Sequence, residues 1–66
     1  MRVTINGKEE EIDPNTSVAT LLARHELRPA YVAVEINCDL VPRTDFDSTT
    51  IQEGDRLEIV TLVGGG

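Results

Sequence analysis

Apolar and polar residues alternate, cluster and alternate again along this chain. From Arg2 to Ile5 they alternate, with Val3 and Ile5 on one side, the two-residue period of a half-buried strand. Asn6-Gly7 follows. Both residues tolerate positive φ, so the pair predicts a two-residue hairpin turn and a returning strand from Lys8 to Asp13. That register sets Ile5 opposite Lys8 and Val3 opposite Glu10, which brings Glu10 onto the face meant for the core. A short edge strand resolves the conflict. Glu9, Glu10 and Glu11 would then guard an open sheet edge, with Ile12 as the apolar anchor.

Asp13-Pro14-Asn15-Thr16-Ser17 offers several helix caps. Val18, Leu21, Leu22 and His25 then recur at i, i+3, i+4 and i+7, one face of a helix. Arg28-Pro29 ends the segment, so the helix is about ten residues, roughly 15 Å long. A helix that short needs a sheet to pack on. Tyr31 to Asn37 alternates again: Val32, Val34 and Ile36 point one way, Ala33, Glu35 and Asn37 the other. A tight turn near Asn37-Cys38-Asp39 leads into Leu40 and Val41, and Pro42 stops that strand. Residues 43–50 read as an irregular polar loop pinned by Phe46, and Ile51 is expected to pair briefly. Glu53-Gly54-Asp55 is a turn, and Arg56 to Val63 is the last strand. Two strands, one helix and three strands make an α+β order. It is the order of the β-grasp: a mixed sheet of four to five strands on one short helix. The first and last strands are expected at its centre, parallel and connected across the helix. Residues 1–62 form this domain, and residues 63–66 form a flexible glycine-rich tail.

Composition narrows the function. Sixty-six residues with six Lys+Arg against twelve Asp+Glu carry a net charge of -6. Two aromatics and no basic face argue against nucleic acid and anionic membrane as partners, and for a partner with a basic surface. One cysteine and one histidine provide no disulfide, no paired redox thiols and no metal site. The N-terminus shows no signal peptide and no apolar run approaches a membrane span, so a cytoplasmic protein, monomeric when free, is expected. Cys38 and His25 lack an activating neighbour in the sequence, and the carboxylates form no acid–base pair. Arg43 reads as an exposed structural arginine. No catalytic residue is expected.

Three of the five glycines are Gly64, Gly65 and Gly66. A carboxylate there is ionised at neutral pH and a poor acyl electrophile. Adenylation would make its oxygen a leaving group, and sulfur could then displace AMP to leave a thiocarboxylate. Residues 63–66 extended span roughly 13 Å, and glycines present no side chain to a narrow channel. In the last strand, Leu57 and Ile59 are assigned to the core and Glu58, Val60 and Leu62 to the outside, as a docking patch beside the tail.

Taken together, several segments resemble the ThiS family, the ubiquitin-like sulfur carriers of thiamin biosynthesis. They are Val3-Thr4-Ile5-Asn6-Gly7-Lys8, Val34-Glu35-Ile36-Asn37 leading to Val41-Pro42-Arg43, and Ile51-Gln52-Glu53-Gly54-Asp55-Arg56-Leu57-Glu58-Ile59 running into Val60-Thr61-Leu62-Val63-Gly64-Gly65-Gly66. The resemblance spans the chain. Cys38 departs from it, where a small or polar turn residue is more usual. The resemblance implies that an E1-like (ThiF-like) adenylyltransferase activates Gly66 using ATP, that a sulfur donor system loads it, and that thiazole synthase accepts the sulfur. Gly64 and Gly65 would enter the partners' active sites, and this chain would bind no cofactor itself. Alternatives are a carrier like the small subunit of molybdopterin synthase, a ubiquitin-like modifier joined to lysines, and a plain interaction domain.

Overall fold

A computed structural model describes residues 1–62; the tail at 63–66 and the end of the last predicted strand at Val63 lie outside the described residues. The elements are β1 (Arg2–Ile5), β2 (Lys8–Glu11), α1 (Val18–Arg24), β3 (Val32–Ile36), β4 (Asp39–Val41) and β5 (Arg56–Thr61), with short 3₁₀ turns at Pro29–Tyr31 and Arg43–Asp45. The sheet order is β2-β1-β5-β3-β4. β1 and β5 run parallel side by side, as expected, and the other neighbours are antiparallel. This is the β-grasp arrangement.

Both hairpins turn on two residues at positive φ, Asn6 (50°) with Gly7 (84°) and Asn37 (53°) with Cys38 (74°). Such turns match the right-handed twist of the strands they join. The first one sets Val3 opposite Glu10, the register that put a carboxylate on the core side. The structure answers that conflict with a partner from the helix end: Glu10 Oε2 lies 3.0 Å from His25 Nε2. β2 is also an edge strand, as expected. It ends at Glu11, but pairing continues one step, because Ile12 N–H donates to Met1 C=O at 2.8 Å.

α1 is shorter than its apolar period suggests. Glu26 adopts φ 59°, Glu26 N–H donates to Ala23 C=O, and Leu27 N–H donates to Leu22 C=O at 2.8 Å. That pair of bonds closes the helix in a left-handed cap. At the other end the Ser17 hydroxyl accepts from Thr20 N–H at 3.0 Å. Val18 N–H and Ala19 N–H donate to Thr49 and Phe46 carbonyls, both at 3.0 Å. The loop after β4 therefore satisfies the amides that every helix start leaves open. It also delivers Phe46 and Ile51 to the core. These pack with Val3, Ile12, Val32, Val34, Leu57 and the inner helix face of Val18, Leu21 and Leu22, all buried. The seven-residue helix thus shares one core with the sheet, and β5 is the middle strand of that sheet.

Candidate functional site

Leu57 is fully buried and Ile59 half-buried against the core, which fixes the phase of β5. Glu58, Val60 and Leu62 consequently lie on the opposite face, as the alternation predicts. Val60 is 56% exposed and Leu62 46%. β3 lies beside β5 with Glu35 opposite Glu58 and Ala33 opposite Val60, and β4 sets Leu40 opposite Glu35. Leu40 is 67% exposed. Leu62 N–H donates to Tyr31 C=O at 2.7 Å, bringing exposed Tyr31 alongside Leu62. The four large apolar residues most open to solvent among those described therefore collect at β3, β4 and β5, next to the root of the tail.

Within this patch two carboxylates stand directly opposed across the strands. Glu35 and Glu58 are both exposed, and neither has an ion-pair partner among the described residues. Like charges in that position destabilise a sheet. The pair therefore does not stabilise the free fold, and it sets two carboxylates side by side amid apolar surface.

Side-chain amides hold the two turns nearest β5. The Asn6 carboxamide accepts from Ile59 N–H at 2.8 Å and donates to Ile59 C=O at 3.1 Å. Asn37 Nδ2 donates to Asp55 Oδ1 at 3.0 Å, its oxygen accepts from Arg56 N–H at 3.0 Å, and Asp55 Oδ2 accepts from Gln52 N–H at 2.8 Å. Asp55 is buried, so these bonds are what its carboxylate exchanges for water. β5 is therefore clamped at its start and at Ile59.

The other singled-out residues take structural places. Arg43 donates from Nε to Pro29 C=O at 3.2 Å and from Nη2 to Ala30 C=O at 3.3 Å, tying the loop after β4 to the turn before β3. Cys38 is exposed at the hairpin tip. Among the described residues no three His, Cys, Asp or Glu side chains gather as a metal site. Nor is any helix there long and apolar enough to cross a membrane. Gly64, Gly65 and Gly66 lie outside the described residues. Sequence reasoning assigned Glu58, Val60 and Leu62 to the outer face, where the structure has them exposed, but did not read Glu35, Leu40 and Tyr31 as their neighbours. The outward phase of Glu35 was readable; its neighbours across the sheet depend on strand order.

The family model of the ThiS family matches residues 3–66. A thiazole synthase from Paramagnetospirillum magneticum is 36% identical over 66 residues, covering all of this chain and 20% of that protein, so the chain spans about one-fifth of that relative's length. The sulfur carrier protein ThiS of Escherichia coli is 27% identical over 66 residues, covering all of both chains. The crystal structure of a thiamine biosynthesis protein (ThiS) from Geobacter metallireducens superimposes with a TM-score of 0.82 at 36% identity, covering all of both chains. The ubiquitin-like β-grasp expected from the sequence is the fold observed.

Proposed function

This chain belongs to the ThiS family of sulfur carriers, and from that premise we propose that it carries sulfur as a thiocarboxylate on Gly66 for thiazole formation in thiamin biosynthesis. The observation that carries the proposal is that the family match runs through the glycines to residue 66. The Gly66 carboxylate oxygen attacks the α-phosphate of ATP, releasing pyrophosphate and leaving an acyl-adenylate. A sulfide-level sulfur from the donor system then forms a C–S bond as the C–O bond to AMP breaks. The chain itself supplies no catalytic group. An E1-like (ThiF-like) adenylyltransferase supplies the ATP site, and the chain acts as its protein cosubstrate.

Thiazole synthase is the proposed acceptor. A thiazole synthase containing a segment similar to this entire chain supports that pairing, since a shared chain raises the effective concentration of carrier at acceptor. This likeness favours thiazole formation over the molybdopterin pathway and over lysine modification. Docking is assigned to Glu58, Val60 and Leu62 with Glu35, Leu40 and Tyr31. An apolar centre with a carboxylate pair suits a partner offering apolar side chains and an arginine or lysine.

Intact-mass measurement tests the reading. Incubation with ATP, the adenylyltransferase and a sulfur donor should exchange one terminal oxygen for sulfur. Adding thiazole synthase and its substrates should restore the original mass. No adenylate and no sulfur gain would refute a carrier role, and restoration only by a molybdopterin synthase large subunit would move the protein to that pathway.

A further inference from the structure

β1 accompanies β5 only at its start. Thr4 stands beside Arg56 and Ile5 beside Leu57, and the backbone contact ends where Asn6 N–H donates to Leu57 C=O at 2.9 Å. The chain then turns back into β2, while β5 runs on to Thr61. The β3 flank of this outer stretch is fully accompanied. Val34, Ala33 and Val32 stand opposite Ile59, Val60 and Thr61, and Tyr31 C=O accepts from Leu62 N–H at 2.7 Å. On the β1 flank a side chain takes over. The Asn6 carboxamide accepts from Ile59 N–H at 2.8 Å and donates to Ile59 C=O at 3.1 Å, engaging the two groups that a neighbouring strand would engage.

The hairpin does not require that carboxamide. A two-residue turn of this kind needs positive φ at both positions, and glycine supplies it at no steric cost. Asn6 sits at φ 50° and is exposed, so water could replace both of its bonds. Water would satisfy Ile59 but would not hold it in place. Immediately beyond Ile59 come Val60 and Leu62, two exposed apolar residues of the docking face, with Tyr31 joined to Leu62.

We propose that Asn6 is a positioning residue for activation of the carrier: through the backbone of Ile59 it holds the outer stretch of β5, so that Val60 and Leu62 meet the adenylyltransferase as a preformed surface. The inference rests on the carrier reading above. A strand end bonded on one flank alone frays. A partner that docks on it must first order it, which weakens binding and leaves the chemistry untouched. The signature of Asn6 is therefore in KM and not in kcat.

Asn6→Gly keeps the turn and deletes the carboxamide. Ser17→Ala provides the comparison, since it removes the helix cap on Thr20 N–H at the start of α1 and leaves β5 alone. ATP–pyrophosphate exchange with the E1-like adenylyltransferase gives KM and kcat for each chain, at a temperature where circular dichroism shows it fully folded. Backbone ¹⁵N relaxation reports the order of Val60, Thr61 and Leu62. Asn6→Gly should raise KM about fivefold or more, change kcat by less than about twofold, and lower the order parameters of those three residues. Ser17→Ala should alter neither KM nor that order. Unchanged KM in Asn6→Gly overturns the proposal. A raised KM with unchanged order also overturns it, because Asn6 would then touch the partner itself. An equal rise in Ser17→Ala overturns it too, since lost stability anywhere would suffice. If Asn6→Gly fails to fold, Asn6→Asp is read in its place; it keeps the acceptor for Ile59 N–H and loses the donor to Ile59 C=O. Absence of exchange with the native chain would refute the carrier reading, and the positioning role with it.

Discussion

The opposed carboxylates of Glu35 and Glu58 allow stability and docking to be separated. Glu35→Gln removes one charge and keeps the side chain's length; Glu35→Lys reverses it. Directly opposite side chains have Cβ atoms about 5 Å apart. Two unit charges roughly 6 Å apart in water repel by about 0.7 kcal/mol. Glu35→Gln should relieve most of that. Glu35→Lys should reach about 1 kcal/mol, since the introduced ammonium also attracts Glu58, while its diagonal neighbour Arg56 offsets part of that gain. For 66 residues the unfolding entropy is roughly 0.14 kcal/mol/K, so these gains raise Tm by about 4 °C and about 7 °C. Melting curves should be recorded at low salt and at 1 M salt, where the screening length falls to about 3 Å and the advantage should shrink. The same proteins should be adenylated with a higher KM. No gain in Tm at low salt, or a gain indifferent to salt, refutes the electrostatic reasoning. A stabilised protein with unchanged KM removes Glu35 from the docking face.

Other perturbations probe the tail and the clamps. Deleting Gly66 should abolish sulfur loading by mass spectrometry, with Tm unchanged within about 2 °C, because a terminal glycine contributes no packing. Val60→Asp should raise the KM for adenylation at least tenfold, yet cost under about 1 kcal/mol in urea unfolding, since the side chain is already exposed. Unfolding of that variant would contradict the assigned face. Asn6→Gly retains the turn but deletes both bonds to Ile59, and should cost about 1–3 kcal/mol in urea unfolding. Cys38→Gly should stabilise by about 1 kcal/mol in the same assay, because φ 74° strains a side-chain-bearing residue and the tip is exposed.

Local chemistry made much of this molecule legible. Asn6-Gly7 specified a turn, a register and hence the awkward place of Glu10; the spacing of Val18, Leu21 and Leu22 specified the buried helix face. The helix end was misjudged because Glu26, a residue without turn character, takes the left-handed conformation that stops it. His25 carried no visible link to Glu10, fifteen residues earlier, because their contact depends on the helix crossing the sheet. Asn6 read only as a turn residue, though its side chain also closes the edge of β5.

Sequence alone determined the alternation of β1, β3 and β5, and with it the outward phase of Glu58, Val60 and Leu62, because a two-residue period needs only one buried position to set it. It also determined the glycine tail and the acidic balance. Tertiary structure decided which outward residues meet. Leu40, Glu35 and Glu58 come from three strands, and only the order β5-β3-β4 aligns them. Likewise, only the early turn of β1 leaves Thr61 beyond its reach. Both follow from pairing between distant segments, which alternation within a segment does not encode.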